Sequence, residues 1–137
     1  MNYPVRLKPD GEFYMVTFPD IPGAITQGEG VDDALRQALD ALETVLDFYI
    51  EEGKLIPLPS QQKRGQRLLK LPLEVNARIL LHNEMVRQKV GEAELARRMG
   101  ISQRKFMRIL SWKYDNTIDM AALAFQALGN HLEVYLA

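Results

Sequence analysis

Six basic side chains crowd residues 97–113: Arg97, Arg98, Arg104, Lys105, Arg108 and Lys113. No acidic residue interrupts them. A solvated helix face ordinarily mixes signs, so a run of one sign suits a polyanion such as a nucleic-acid backbone. Gln103 and Arg104 add a second chemistry. Gln can bond adenine through two contacts and Arg can do the same with guanine, so this pair at a helix start is fit to read base edges in a major groove. Arg97, Lys105 and Lys113 suit phosphates, which fix position and not sequence. Arg108, one turn further on, suits either role. Ser102 stands just before this helix as its N-cap.

The opposite charge gathers at the other end of the chain. Residues 1–60 hold four basic and eleven acidic groups, a net of −7, whereas residues 61–137 hold thirteen basic and seven acidic groups, a net of +6. The whole chain is close to neutral at −1. Such asymmetry predicts two modules with different partners. Asp20, Asp40, Glu43 and Asp47 are the candidate contacts for a basic partner protein. Asp40, Glu43 and Asp47 share the polar side of a long helix and also serve its solubility; Asp20, between Phe18 and two prolines, also suits a turn.

Other chemistries find little support. There is no cysteine, so neither a disulfide nor a thiolate metal site is expected. His82 and His131 are too few and too scattered for a zinc site, and each reads as structural or solvent-facing. Asp10, Glu12 and Asp20 fall in turns, not at strand centres where carboxylates would converge on metal ions. No Ser/His/Asp pattern or glycine-rich phosphate loop is present. The reading is a protein without enzymatic activity, cofactor or metal. No apolar run approaches the ~20 residues of a membrane span, and the opening residues lack a signal or transit pattern, so a cytoplasmic location is expected.

The elements that must position these residues follow from periodicity. Residues 3–8 and 13–18 read as strands of a hairpin around the turn-forming Pro9, Asp10 and Gly11. Residues 24–27 suit a third, shorter strand. From Val31 to Tyr49 apolar residues recur every three or four positions, a five-turn amphipathic helix with Asp32 and Asp33 in its first turn and Gly53 as its stop. Residues 53–67 read as a connector, and 68–71 as a possible fourth strand, which puts the boundary between domains 1–71 and 72–137. The first domain is then an α+β unit of three or four strands and one long helix. The second is all-α, with helices over 73–89 (burying Val75, Ile79, Leu80 and Val86), 92–99, 103–112 and 119–128. A short strand over 131–136 offers pairing with a second copy.

Residues 92–111 carry the constraints of a helix-turn-helix. Ala96 is small enough for two helices to cross closely, Gly100 tolerates a left-handed turn, and Leu95, Met99, Ile101, Phe106 and Ile109 supply the core face. The stretch 95–103 resembles the core of the phage-repressor-like (Xre) DNA-binding domains, and 119–129 resembles their closing helix. That resemblance covers residues 73–137 and implies dimers bound to inverted half-sites of double-stranded operator DNA.

The front half resembles the HicB antitoxins over residues 14–23, 26–29, 31–35 and 55–60. It departs at Ala24, where many members carry cysteine, a change that bears on packing. The resemblance implies a partial ribonuclease-H-like first domain. It also implies a HicA-type partner, a small messenger-RNA-cleaving toxin with a double-stranded-RNA-binding-like fold and a catalytic histidine, and repression of the shared operon. A −7 module is suited to cover the positive surface of such a toxin. The expected function is therefore antitoxin and autorepressor, acting as a homodimer or higher oligomer. One alternative keeps the DNA-binding half and makes the front half a small-ligand sensor with an apolar pocket. Another, a metal-dependent nuclease, predicts RNA cleavage with magnesium or manganese alone.

Overall fold

Alternation along the first residues builds an antiparallel hairpin from β1 (Asn2–Asp10) and β2 (Phe13–Thr17), in a register running from Arg6 opposite Thr17 to Asp10 opposite Phe13. Strand β3 (Ile25–Glu29) pairs with β2, and β4 (Arg67–Lys70) pairs with β1, giving a four-stranded antiparallel sheet of order β3-β2-β1-β4. The computed structural model describes residues 1–111 and 117–136. The third strand begins at Ile25, one residue later than the pattern of the sequence suggests, because the Ala24 N–H bonds the Ile21 carbonyl at 3.1 Å in the preceding turn.

The helix that covers one sheet face, α1, runs over Gly30–Glu52. Asp33 in its first turn accepts a 2.8 Å bond from the Glu29 backbone N–H, satisfying a donor at the helix start. Its carboxyl is held below the usual range by that bond first, with Gln37 and Arg36 adding to the effect. Gly53 ends the helix in a left-handed conformation, with Lys54 N–H reaching back to the Tyr49 carbonyl. The buried stripe is Ala34, Ala38, Leu42 and Leu46, one residue every turn. Small residues at its start let the helix approach β3 closely. Full burial of Leu42 and Leu46 contributes roughly 1.5–3 kcal/mol each.

The connector is held against this sheet. Ile56 is buried, the Tyr3 hydroxyl donates to the Pro57 carbonyl at 2.6 Å, and the Asp20 carboxylate accepts from both the backbone N–H and the hydroxyl of Ser60 at 2.9 and 3.1 Å. Two compact units result, Met1–Pro72 and Leu73–Ala137.

The second unit contains α2 (Leu73–Gln88), α3 (Glu92–Met99), α4 (Gln103–Ser111) and α5 (Thr117–Ala127). Its core gathers Leu81, Met85, Leu95, Ala96, Phe106, Ala124, Phe125 and Leu128. Along α2 the buried positions include Val75, Ile79, Leu81, His82 and Met85, whereas Leu80 is exposed and Val86 only half-buried. Val75 and Ile79 thus lie inside as read from the sequence, while Leu81 and Met85 take the places assigned to Leu80 and Val86. Buried positions on α2, from Val75 and Ala77 through Asn83 to Met85, spread round the helix, so it offers no single apolar stripe by which Leu80 and Leu81 could be told apart. Residues 131–136 form no strand, which corrects the expected terminal one. Val134, Tyr135 and Leu136 lie exposed there.

Candidate functional site

The corner between α3 and α4 is set by two small residues. Ala96 is buried, and Gly100 takes a left-handed backbone with φ of 70°. There the N–H of Gly100 bonds the Arg97 carbonyl and that of Ile101 bonds the Ala96 carbonyl, each at 3.1 Å. These bonds close α3 and turn the chain within three residues into α4. The Ser102 hydroxyl then accepts the Lys105 N–H at 3.1 Å, an N-cap that satisfies one free donor of the new helix.

Phe106 is fully buried and fixes the rotation of α4. With Phe106 inward, Arg104, Lys105 and Arg108 project outward at three- and four-residue spacing and, with Ser102, line one open groove. Gln103 is exposed in the first turn, and Met107, one turn further, is exposed beside it. No acidic residue lies in the first turn of α4, whose dipole adds positive potential at that end. Structure therefore brings together Ser102, Gln103, Arg104, Lys105 and Arg108. Lys113, with Trp112 and Tyr114, lies outside the described residues, as does the side chain of Ile109.

Arg97 is placed differently. Its guanidinium forms short bonds to both carboxylate oxygens of Glu94, at 2.6 and 2.7 Å from Nη2, and Arg98 reaches the same carboxylate at 3.1 Å. The Arg97 and Arg98 bonds hold the Glu94 carboxyl below its usual range, and Glu94 in turn raises Arg97. Counting charge from Arg97 onward misses this acid, three and four residues earlier. The spacing itself is the signal that finds it, since residues so spaced are neighbours on a helix.

On the first unit Asp40, Glu43 and Asp47 share one side of α1, with Asp40 and Asp47 exposed and Glu43 half-buried. Asp20 stands apart from them, in the turn after β2, and its carboxylate holds Ser60. His82 is buried in the second unit, and the His131 side chain is exposed. Among the described residues no group of three His, Asp or Glu side chains is arranged to hold a metal ion. No described helix is long and apolar enough to cross a membrane.

Together these features define a two-unit protein: an α+β unit whose helix presents carboxylates, and a helical unit whose helix α4 presents cations. A family model described as the HicB-like antitoxin of bacterial toxin–antitoxin systems matches residues 2–80. Similarity extends well past that stretch. The chain is 42% identical to Antitoxin HicB of Escherichia coli (strain K12), covering 99% of both chains. It is 41% identical to Antitoxin HicB 2 of Photorhabdus laumondii over 98% of this chain and 95% of that one. With Antitoxin HicB of Pseudomonas fluorescens the identity is 31%, over 82% and 78%. The chain belongs to the HicB-like antitoxin family.

Proposed function

We propose that this antitoxin neutralises a HicA-type, messenger-RNA-cleaving toxin by protein–protein contact and represses its own operon by binding operator DNA. In this reading the first unit is a partial ribonuclease-H-like domain that occupies the toxin, and it performs no chemistry of its own. The acids of α1, Asp40, Glu43 and Asp47, meet the positive surface with which the toxin grips RNA. Blocking substrate access requires only that this surface be covered.

The second unit acts as an Xre-type helix-turn-helix. Helix α4 enters the major groove, Gln103 and Arg104 read base edges, and Lys105 with the Ser102 cap holds phosphates. Arg108 continues the cationic strip. A homodimer matches two half-sites related by symmetry. The observation that carries the DNA-binding part is the Gly100 corner, which leaves Phe106 inside and turns three cations of α4 outward. The antitoxin part is supported by similarity along the whole chain to proteins named Antitoxin HicB.

Two assays test the proposal. Co-expression with the product of the adjacent gene should restore growth and yield a co-purifying complex; failure of both would remove the toxin-binding half of the reading. Mobility-shift titration with duplex DNA from upstream of its own coding region should show a specific complex that competitor DNA does not displace. Complete displacement by competitor would remove the repressor half.

A further inference from the structure

The boundary between the two units and the boundary in charge do not coincide. Charge changes sign near residue 60, but the first unit extends to Pro72. Lys63, Arg64, Arg67 and Lys70 therefore belong to the sheet-bearing unit. Counted by structural unit, residues 1–72 hold eight basic and eleven acidic groups, a net of −3. Residues 73–137 hold nine basic and seven acidic, a net of only +2, and Glu94 already engages Arg97 and Arg98. The helical unit's excess positive charge is thus small and rests on the strip of α4.

The four displaced cations sit on an ordered scaffold. Gln66 is buried, and its side-chain carbonyl accepts the Lys63 N–H at 2.7 Å. Its backbone N–H bonds the Lys63 carbonyl, and its own carbonyl accepts from the Gln62 side chain at 2.7 Å. This turn presents Lys63 and Arg64 to solvent, and the edge strand β4 that follows presents Arg67 and Lys70. Among the described residues no ion pair engages any of the four, and the sequence has no acid between Glu52 and Glu74. Only Leu71 and Pro72 separate β4 from α2, a chain reach of about 10 Å.

We infer that Lys63, Arg64, Arg67 and Lys70 form a second phosphate-binding strip, contributed by the toxin-binding unit, that grips the backbone of duplex DNA without reading sequence. The inference rests on the DNA-binding reading above. It assigns part of the antitoxin's affinity for DNA to the unit that also meets the toxin.

The test uses the full chain and a mixed-sequence 40-base-pair DNA duplex, titrated by fluorescence anisotropy at a series of salt concentrations. Each phosphate contact contributes about 0.9 to the slope of log affinity against log salt, so K63Q/R64Q and R67Q/K70Q should each flatten the slope by about two units. Preference for upstream DNA over the mixed duplex should stay unchanged in both. A charge-conserving K63R/R64K variant should keep the slope, which separates loss of charge from loss of fold. If the unsubstituted chain binds no duplex at any salt, the DNA-binding reading itself fails, and this inference with it. If the chain binds and R104A/K105A flattens the slope while neither connector pair does, the repressor reading stands and the strip is overturned, its cations guarding the sheet edge against pairing. A larger effect on a 40-base-pair RNA duplex than on DNA also overturns it.

Discussion

Nη2 of Arg97 lies 2.6 Å from Oε2 of Glu94, and Arg98 bonds the same carboxylate from the next position. Two cations of the basic run are thus partly neutralised by one acid within their own helix. Replacing Glu94 with Gln should release both arginines. Affinity for mixed-sequence duplex should rise, with the salt slope steeper by about one unit as a further phosphate contact forms. The lowered Glu94 carboxyl gives the sign of the pH effect: whatever stability the pairing contributes is present above the unfolded carboxylate range and is lost as pH falls through the folded value. Anisotropy titration of E94Q against the parent checks the first expectation, and an acid-denaturation series checks the second.

A second expectation concerns base reading. Gln103→Ala and Arg104→Ala should each cost about 1–3 kcal/mol of discrimination between operator and altered sites. Binding to mixed-sequence DNA should change less. Unaltered site preference in both variants would show that α4 is not the reading helix.

Gly28 sets the closest approach between β3 and α1. A Cβ built there would stand 2.5 Å from the backbone nitrogen of Ala34 and 2.6 Å from its Cα, atoms that cannot rotate away. Gly28→Ala should therefore destabilise the first unit by about 1–3 kcal/mol, the usual cost of overpacking. Toxin rescue should suffer with it, because α1 carries the acidic face. Denaturant unfolding of the variant, compared with the parent, measures the effect.

Tyr3 is fully buried, its ring edge-on to Phe18 and its hydroxyl on the Pro57 carbonyl. Burial, then the nearby Asp20 and Tyr49, pushes its phenol well above the ordinary tyrosine range. The folded state thus holds the proton more tightly than the unfolded chain. The stability this contributes is intact below about pH 10, where unfolded tyrosine begins to ionise, and is lost as pH climbs toward the folded value. A spectrophotometric titration should show the Tyr3 phenol ionising late, as the first unit opens. Tyr3→Phe should remove that late step.

Much of the corner and of the first unit was legible in residue types. Ala96, Gly100 and Ser102 each meet a local requirement, namely close helix crossing, left-handed backbone and an N-cap, and local requirements are visible in a sequence. The α1 stripe was equally plain, because one face meets a sheet and the other meets water. Burial along α2 was not. Its buried positions spread round the helix, so Leu80 and Leu81 cannot be told apart by periodicity. Nor was the fate of Asp20, whose partner Ser60 is forty residues away.

By itself the chain determined its element types, its turns, the polarity of its two ends and the family signatures they carry, since these depend on neighbours a few residues apart. Only the tertiary structure decided which charges are already paired, which strand β4 joins and which side of each helix is covered. Lys63 to Lys70 continue the basic half by charge although the strand read over 68–71 assigns them to the first domain; the pairing of β4 with β1 shows which strand holds them there. Strand pairing acts between residues far apart in sequence, and charge counted along the chain does not register it.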